Sequence, residues 1–219
     1  MSKRKTRWLE AYRETVEDRK QGPDFKLIEY LDLIPKGPIL DLGMGRGRHA
    51  LFFAKLGRKV EGVDTSKLSK GISNVVEGEG LDFTYYKMDI RDFEIKPKRY
   101  ALIIASKIIQ LFRKADIETI AERMQAGLKQ KGLLYIYTFS VEHLEQITKW
   151  DEIETVEEHT YYHSKYNQHF HFFTRDEILS LFPKLKIEYY TEGLSFDRRP
   201  SHLRHTGVIQ YVGQYLSES

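Results

Sequence analysis

The feature that most constrains this chain is an apolar run ending in glycines at every second position. Pro38-Ile39-Leu40-Asp41-Leu42-Gly43 leads into Met44-Gly45-Arg46-Gly47, and an apolar helical pattern, RHALFFAKLG, begins at once. A short apolar run bounded by a turn signal reads as a buried strand, and residues 48–57 read as a helix closed by Gly57. Glycine, lacking Cβ, lets the turn tighten and lets a ligand approach the bare backbone. In open α/β sheets, ligands bind outside the carboxyl ends of such strands. This one stretch therefore predicts both a fold class and the place of a site.

The alternation continues along the chain. KVEGVD (59–64), LDFTYYKMD (81–89), YALIIAS (100–106) and GLLYIYTFS (132–140) read as further strands. Helices are expected from Ser66 to about Gly78 and from about Asp116 to Leu128. Apolar strands separated by helical segments imply βαβ units and a mostly parallel sheet. The tail changes rhythm. Thr174 with Glu177 is a capping box that starts a helix over 174–182, and LKIEYYTEGLSF and TGVIQYVGQYL then read as antiparallel neighbours at a sheet edge. Upstream, RWLEAYRETVEDRK (7–20) suits a short helix, and Asp24 can cap a second one over FKLIEYLDLI, ended by Pro35 and Gly37. The expected fold is α/β: a doubly wound, mostly parallel seven-stranded sheet with an antiparallel last strand and helices on both faces. Residues 1–219 are read as one domain, with N-terminal helices at 7–34. The long stretch 141–171 is read as an insertion that shapes a site.

Composition narrows the function classes. A chain of 219 residues, 41% hydrophobic and 31% charged, is that of an ordinary folded domain. It holds no run of 18 apolar residues, which argues against a membrane span. The basic start MSKRKTRWLEAY lacks the apolar segment of a secretory signal, and cysteine is absent, so a cytoplasmic setting is expected. A net charge of +3 is too small to imply nucleic-acid binding, and the sequence shows no continuous basic stripe of the kind a phosphate backbone wants.

Three carboxylates fall at the ends of the first three strands. The dinucleotide fingerprint would need glycine where Arg48 stands, and no Gly-Lys-Ser/Thr follows for a phosphate-binding loop. What is left is Asp41 beside a glycine turn, suited to a ligand with a positive amino group; a purely structural glycine turn is the alternative. Asp64, at the tip of the second strand, can accept both hydroxyls of an adenosine ribose, or can cap the following helix. Asp89 can accept from an adenine amino group, while Ile90 and Phe93 offer apolar surface to a ring.

Taken together, ILDLGMGRG, VEGVD and MDIRDF resemble the motifs of class I S-adenosylmethionine-dependent methyltransferases. The resemblance implies that Asp41, Gly43, Gly45 and Gly47 wrap the cofactor's amino-acid portion, that Asp64 meets the ribose, and that Asp89 and Ile90 meet the adenine. It also implies cofactor contacts for Arg48, Thr65 and Ser106. The helix opening from Gly45 to Gly57, with RPSHLRHTGVIQY near the end, is similar to tellurite-resistance-type and thiopurine-like small-molecule methyltransferases. The segment Ser106-Lys107-Ile108-Ile109-Gln110-Leu111-Phe112 lacks the Asp/Asn-Pro-Pro-Tyr/Phe pattern that marks methylation of nucleic-acid bases or glutamine amides in this superfamily.

On the acceptor side, methyl transfer needs alignment in a dry pocket, plus a base where the acceptor carries a proton. His163, His169, His171, His202 and His205 are the candidate bases. His202, His205 and Arg199 are the catalytic expectation, because they precede the last strand, and the arginines there suit an anionic acceptor. HTYYHSKYNQHFHFF (159–173) reads as a β-hairpin turning at 164–168 and packed over the cleft, with no metal expected, although His159/His163 and His169/His171 have ligand-like spacings. Expected, then, is transfer to a small-molecule acceptor. An RNA or protein acceptor is the second reading and a non-catalytic cofactor-binding or interaction protein the third.

Overall fold

The computed structural model describes residues 22–142, 144, 152–196 and 205–216, with backbone alone at 195, 196, 205 and 206. The expected helix at 7–20, with Arg199 and His202, lies outside the described residues. Seven strands form one sheet in the order β3-β2-β1-β4-β5-β10-β9. These are β1 (Ile39–Leu42), β2 (Val60–Asp64), β3 (Phe83–Lys87), β4 (Tyr100–Ser106), β5 (Leu128–Phe139), β9 (Leu185–Phe196) and β10 (His205–Tyr215). The first five pair in parallel, while β10 runs antiparallel to both β5 and β9, which is the expected doubly wound sheet.

Burial explains the order. All four residues of β1 are buried, and so are six of the seven in β4, which suits central strands covered on both faces. Helix α1 (Phe25–Glu29), α2 (Arg48–Lys55) and α3 (Lys70–Gly78) cover one face around Phe52, Phe53, Ile104 and Tyr135. Helices α4 (Lys114–Gly127) and α5 (Arg175–Ser180) cover the other around Ile103, Ile136, Met124 and Ile178. Fully burying each such side chain is worth roughly 1.5–3 kcal/mol relative to leaving it in water.

Several local expectations shift. Helix α3 begins at Lys70 rather than Ser66, because Ser69 is the cap and its hydroxyl accepts from Ile72 N at 3.3 Å. Asp24 does stand at the head of α1 but makes no side-chain cap bond, since its carboxylate is drawn elsewhere. Strand β5 starts at Leu128, directly from α4, and takes up the extra length in an irregularity opposite Tyr100–Leu102. Thr174 caps α5 through Glu177 N at 3.1 Å, but the Glu177 carboxylate turns to His171 instead of closing the box.

The insertion forms its own antiparallel sheet of β6 (Ile153–Glu157), β7 (Thr160–His163) and β8 (Gln168–His171). The β7–β8 hairpin turns through Ser164–Tyr166 and a left-handed Asn167, where the sequence placed it. His159 has φ 58° in the tight turn between β6 and β7, so its four-residue spacing to His163 is not helical.

Candidate functional site

The neighbours of β1 are β2 on one side and β4 on the other, so chain order reverses at β1 and a crevice opens at their carboxyl ends. Leu42 is level with both Val63 and Ala105, which brings the glycine turn, Asp64 and Ser106 to one edge. Gly43, Gly45 and Gly47 have φ of 64°, 53° and 68°, the left-handed region that side chains disfavour. At Gly43 a Cβ would also stand 2.6 Å from Ile108 Cγ1. At Gly45 such a Cβ would meet nothing nearer than the Gly43 carbonyl oxygen at 4.0 Å, so the outer side of the turn is open. Met44 folds inward, its sulfur filling the space that a Cβ on Gly62 would need.

Asp64 ties the turn to β2. Its Oδ2 accepts from Gly45 N at 2.8 Å and its Oδ1 from Ser66 N at 2.9 Å. The Tyr85 hydroxyl points at the carbonyl oxygens of Asp64 (3.1 Å) and Ser66, which holds 64–66 out of a helix and explains the late start of α3. Thr65 is exposed on this turn. Met88 N donates to Asp64 O at 3.0 Å and so joins the end of β3 to the same edge. Just beyond, Asp89 accepts from Arg91 N (2.9 Å) and from its guanidinium. Hydrogen bonding from Arg91 keeps the Asp89 carboxyl below its ordinary range against a smaller effect of burial. Ile90 is buried, in the core that also holds Phe93.

Asp41 is only 1% exposed. Its Oδ2 accepts from Ala50 N at 3.2 Å in the first turn of α2, and burial pushes its carboxyl up to about 6 despite nearby His49 and Arg48. The residue that gathers polar groups here is Asp24. Arg48 grips it with Nη1 on Oδ1 at 2.5 Å and Nη2 on Oδ2 at 2.8 Å. His49 Nε2 (3.1 Å), Tyr135 OH (3.0 Å) and Ser106 Oγ (3.4 Å) also reach Oδ2. Burial alone would raise the Asp24 carboxyl, but His49 and Arg48 outweigh it and hold the group ionised well below the usual carboxylate range. Arg48 Nη2 lies 3.2 Å from Ser106 Oγ. Of these five residues, the sequence singled out Arg48 and Ser106 for this site; Asp24, His49 and Tyr135 were missed. Their signal is weak, since Asp24 reads as a helix cap and Tyr135 as one more strand aromatic.

The segments expected on the acceptor side come from distant parts of the chain. The small sheet rests on the stretch after β4: Gln168 Nε2 donates to Leu111 O at 2.7 Å, and Glu157 accepts from Lys114 N at 2.9 Å. His171 is fully buried and bridges Thr160 Oγ1 (2.7 Å) and Glu177 (2.9 Å), a contact set that braces the sheet against α5. His163 is buried against the rings of Tyr166 and Phe170, and His169 leans on Tyr162. Among the described residues no three His, Asp or Glu side chains converge to hold a metal ion. Lys107, at the tip of β4, has φ 59° and its ammonium lies over the Tyr137 ring. His205 opens β10 opposite Phe196; its side chain lies outside the described residues, as do Arg199 and His202. A separate groove of about 750 Å³, lined by Pro97, Glu122, Lys184 and Tyr215, lies at the other end of the strands, far from the glycine turn.

A family model described as a methyltransferase domain matches residues 39–132, less than half of the chain. No curated protein sequence matches. Among solved structures, the chain is similar to a 1,6-didemethyltoxoflavin-N1-methyltransferase from Burkholderia thailandensis, solved with bound 1,6-didemethyltoxoflavin and S-adenosylhomocysteine. Identity there is 15%, over 98% of this chain and 87% of the other, with a TM-score of 0.66. TehB from Haemophilus influenzae gives 15% identity over 94% and 67% of the two chains, with a TM-score of 0.71. A SAM-dependent methyltransferase from Methanosarcina mazei gives 16% over 90% and 100%, with a TM-score of 0.68. The fold is that of the class I methyltransferases.

Proposed function

We propose that the protein moves a methyl group from S-adenosylmethionine to a small-molecule acceptor by direct in-line transfer. The observation that carries this reading is the open glycine turn at the β1/β4 reversal, tied by Asp64 to the end of β2. The donor set fits such a cofactor. Bare backbone at Gly45 admits close approach, carboxylates stand at the tips of β2 and β3, and an ionised Asp24–Arg48 pair lies beside Ser106. The cofactor, when bound, supplies a methyl group on a positively charged sulfur. The chain's own task is to orient and to exclude water: Gly43, Gly45, Gly47, Arg48, Thr65 and Ser106 to shape the cofactor end, Asp64 to hold the ribose, and Asp89 with Ile90 to border the adenine.

For the acceptor end we assign Arg199, His202 and His205, with the small β-sheet as cover, and an anionic acceptor as the chemistry those side chains suit. The helix opening from Gly45 to Gly57 favours kinship with the tellurite-resistance-type and thiopurine-like enzymes. A cytoplasmic setting without a membrane partner goes with this reading. Calorimetry with S-adenosylmethionine, followed by a screen of small anionic acceptors, tests it. Binding of a nicotinamide dinucleotide or a nucleoside triphosphate in place of the cofactor overturns it. Turnover only on RNA or protein would replace the acceptor class.

A further inference from the structure

The ion pair at Asp24 is built beyond what the fold requires of it. Four side chains from three places in the chain converge on the carboxylate at the head of α1: Arg48 and His49 from the first turn of α2, Ser106 from the tip of β4 and Tyr135 from the middle of β5. The partners are unevenly shared. Oδ2 takes Arg48, His49, Tyr135 and Ser106, whereas Oδ1 takes Arg48 Nη1 alone. On the guanidinium, Nη1 and Nη2 serve Asp24, the Gly22 carbonyl and Ser106, and Nε has no partner among the described residues. One acceptor position and one N–H donor are thus left on a rigid pair of opposite charges, whose Arg48 directly follows Gly47. The nearest motif carboxylate, Asp41, is sealed beneath α2 with its oxygen on Ala50 N.

We infer that Asp24 and Arg48 together read the zwitterionic end of the cofactor, the carboxylate toward Arg48 and the ammonium toward Asp24. This rests on the cofactor assignment above and deepens it. A preformed pair of this kind favours a ligand end carrying both signs over a neutral one, because each charge meets its complement without moving the side chains. Asp24 lies outside the segment matched by the methyltransferase-domain model and Arg48 inside it, so the anionic half of the pair is supplied by the chain ahead of β1. His49, Tyr135 and Ser106 act through Asp24 as positioning residues.

The test compares two ligands on the full chain by calorimetry: S-adenosylhomocysteine, which has the amino-acid end, and 5′-methylthioadenosine, which lacks it. Asp24→Asn should weaken S-adenosylhomocysteine about 10- to 100-fold, the range for losing a hydrogen bond to a charged group, and change 5′-methylthioadenosine less than twofold. Arg48→Lys keeps a cation but loses the fork; it should show the same selective loss, and it carries the test if Asp24→Asn fails to fold. Equal weakening of both ligands by the two variants would mean that the pair only holds the fold together, and unchanged affinity for S-adenosylhomocysteine would remove it from the site; either result overturns the inference. If the unmodified chain binds neither ligand, the cofactor assignment itself fails, a result distinct from both.

Discussion

The glycine turn and the proposed acceptor end of this molecule are held together differently. Around the glycine turn the ties are short in sequence: Gly45 to Asp64, Ala50 to Asp41, Ser66 to Asp64. Around the proposed acceptor end the ties span longer stretches: Gln110 to Thr138, Leu111 to Gln168, Lys114 to Glu157, Ser140 to Glu192. A turn built locally on special backbone angles tolerates no side chain, whereas an end assembled from many distant contacts can lose one and keep its shape. Mutations should therefore act steeply at the first end and gradually at the second.

Gly43→Ala should have the largest effect. The left-handed φ of 64° carries a strain of about 1 kcal/mol or more for any other residue, and the new methyl would overlap Ile108, adding about 1–3 kcal/mol. Urea denaturation followed by circular dichroism should show a loss near 3 kcal/mol together with loss of cofactor binding. At Gly193, in β9, a Cβ meets nothing within 4 Å. Gly193→Ala should stay within about 0.5 kcal/mol of the parent. Equal damage at both positions would break the comparison.

Acid titration should separate two carboxylates, Asp41 and Glu177, by sign. Asp41 holds its proton more tightly folded, at about 6, than unfolded. Its contribution therefore lowers stability as pH rises from about 4 to 6, by at most about 3 kcal/mol at ~1.4 kcal/mol per pH unit. Asp41→Asn should be more stable than the parent at pH 7.5, and the difference should fade near pH 4. Glu177 goes the other way. Burial raises its carboxyl, but His171 outweighs that and lowers it, so its stabilisation is present at neutral pH and is lost as pH falls through its folded value. A parent-minus-variant difference for Asp41→Asn that does not depend on pH would contradict the assignment of a raised Asp41.

His171→Ala should lower stability by about 2 kcal/mol, since it opens a cavity and strands the Thr160 hydroxyl and the Glu177 carboxylate. Its functional trace should lie in the KM for the acceptor, with cofactor affinity within twofold of the parent. Loss of cofactor binding on the same scale would mean that the two ends are one mechanical unit.

What could be read from the residues follows the same division. The glycine turn, the seven strands of the main sheet and the antiparallel tail were legible because each rests on periodicity or on a local backbone demand. Gly43 and Gly47 announce positive φ, and ILDL announces a central strand, without reference to anything distant. Asp24 was misjudged because a carboxylate before a helical run looks like a cap; only the fold brings Arg48, His49 and Tyr135 to it. The start of α3 was misplaced for a related reason, since Tyr85, a strand away, fixes the turn at 64–66. Two of the three residues chosen for acceptor catalysis, Arg199 and His202, fall outside the described residues, so the sequence argument for them stands alone.

The smallest predicted effect offers the sharpest comparison, because the two ends carry equivalent caps. Ser69 and Thr174 each accept from the backbone N–H three residues on, at 3.3 Å and 3.1 Å. Replacing either by alanine should cost about 1 kcal/mol. The difference lies in what the cap holds. Ser69 only begins α3, so Ser69→Ala and His171→Ala should add within about 0.3–0.5 kcal/mol, as distant sites do. Thr174 sets the first turn of α5, from which Glu177 reaches His171. Once His171 is gone, part of the reason for holding that turn is gone with it, so Thr174→Ala in the His171→Ala background should cost measurably less than alone, with a coupling of about 0.5 kcal/mol or more. A double-mutant cycle in urea measures this directly. Strict additivity for the Thr174 pair would mean that α5 and the small sheet are independent, and the acceptor end would then be a set of separate contacts instead of a connected network.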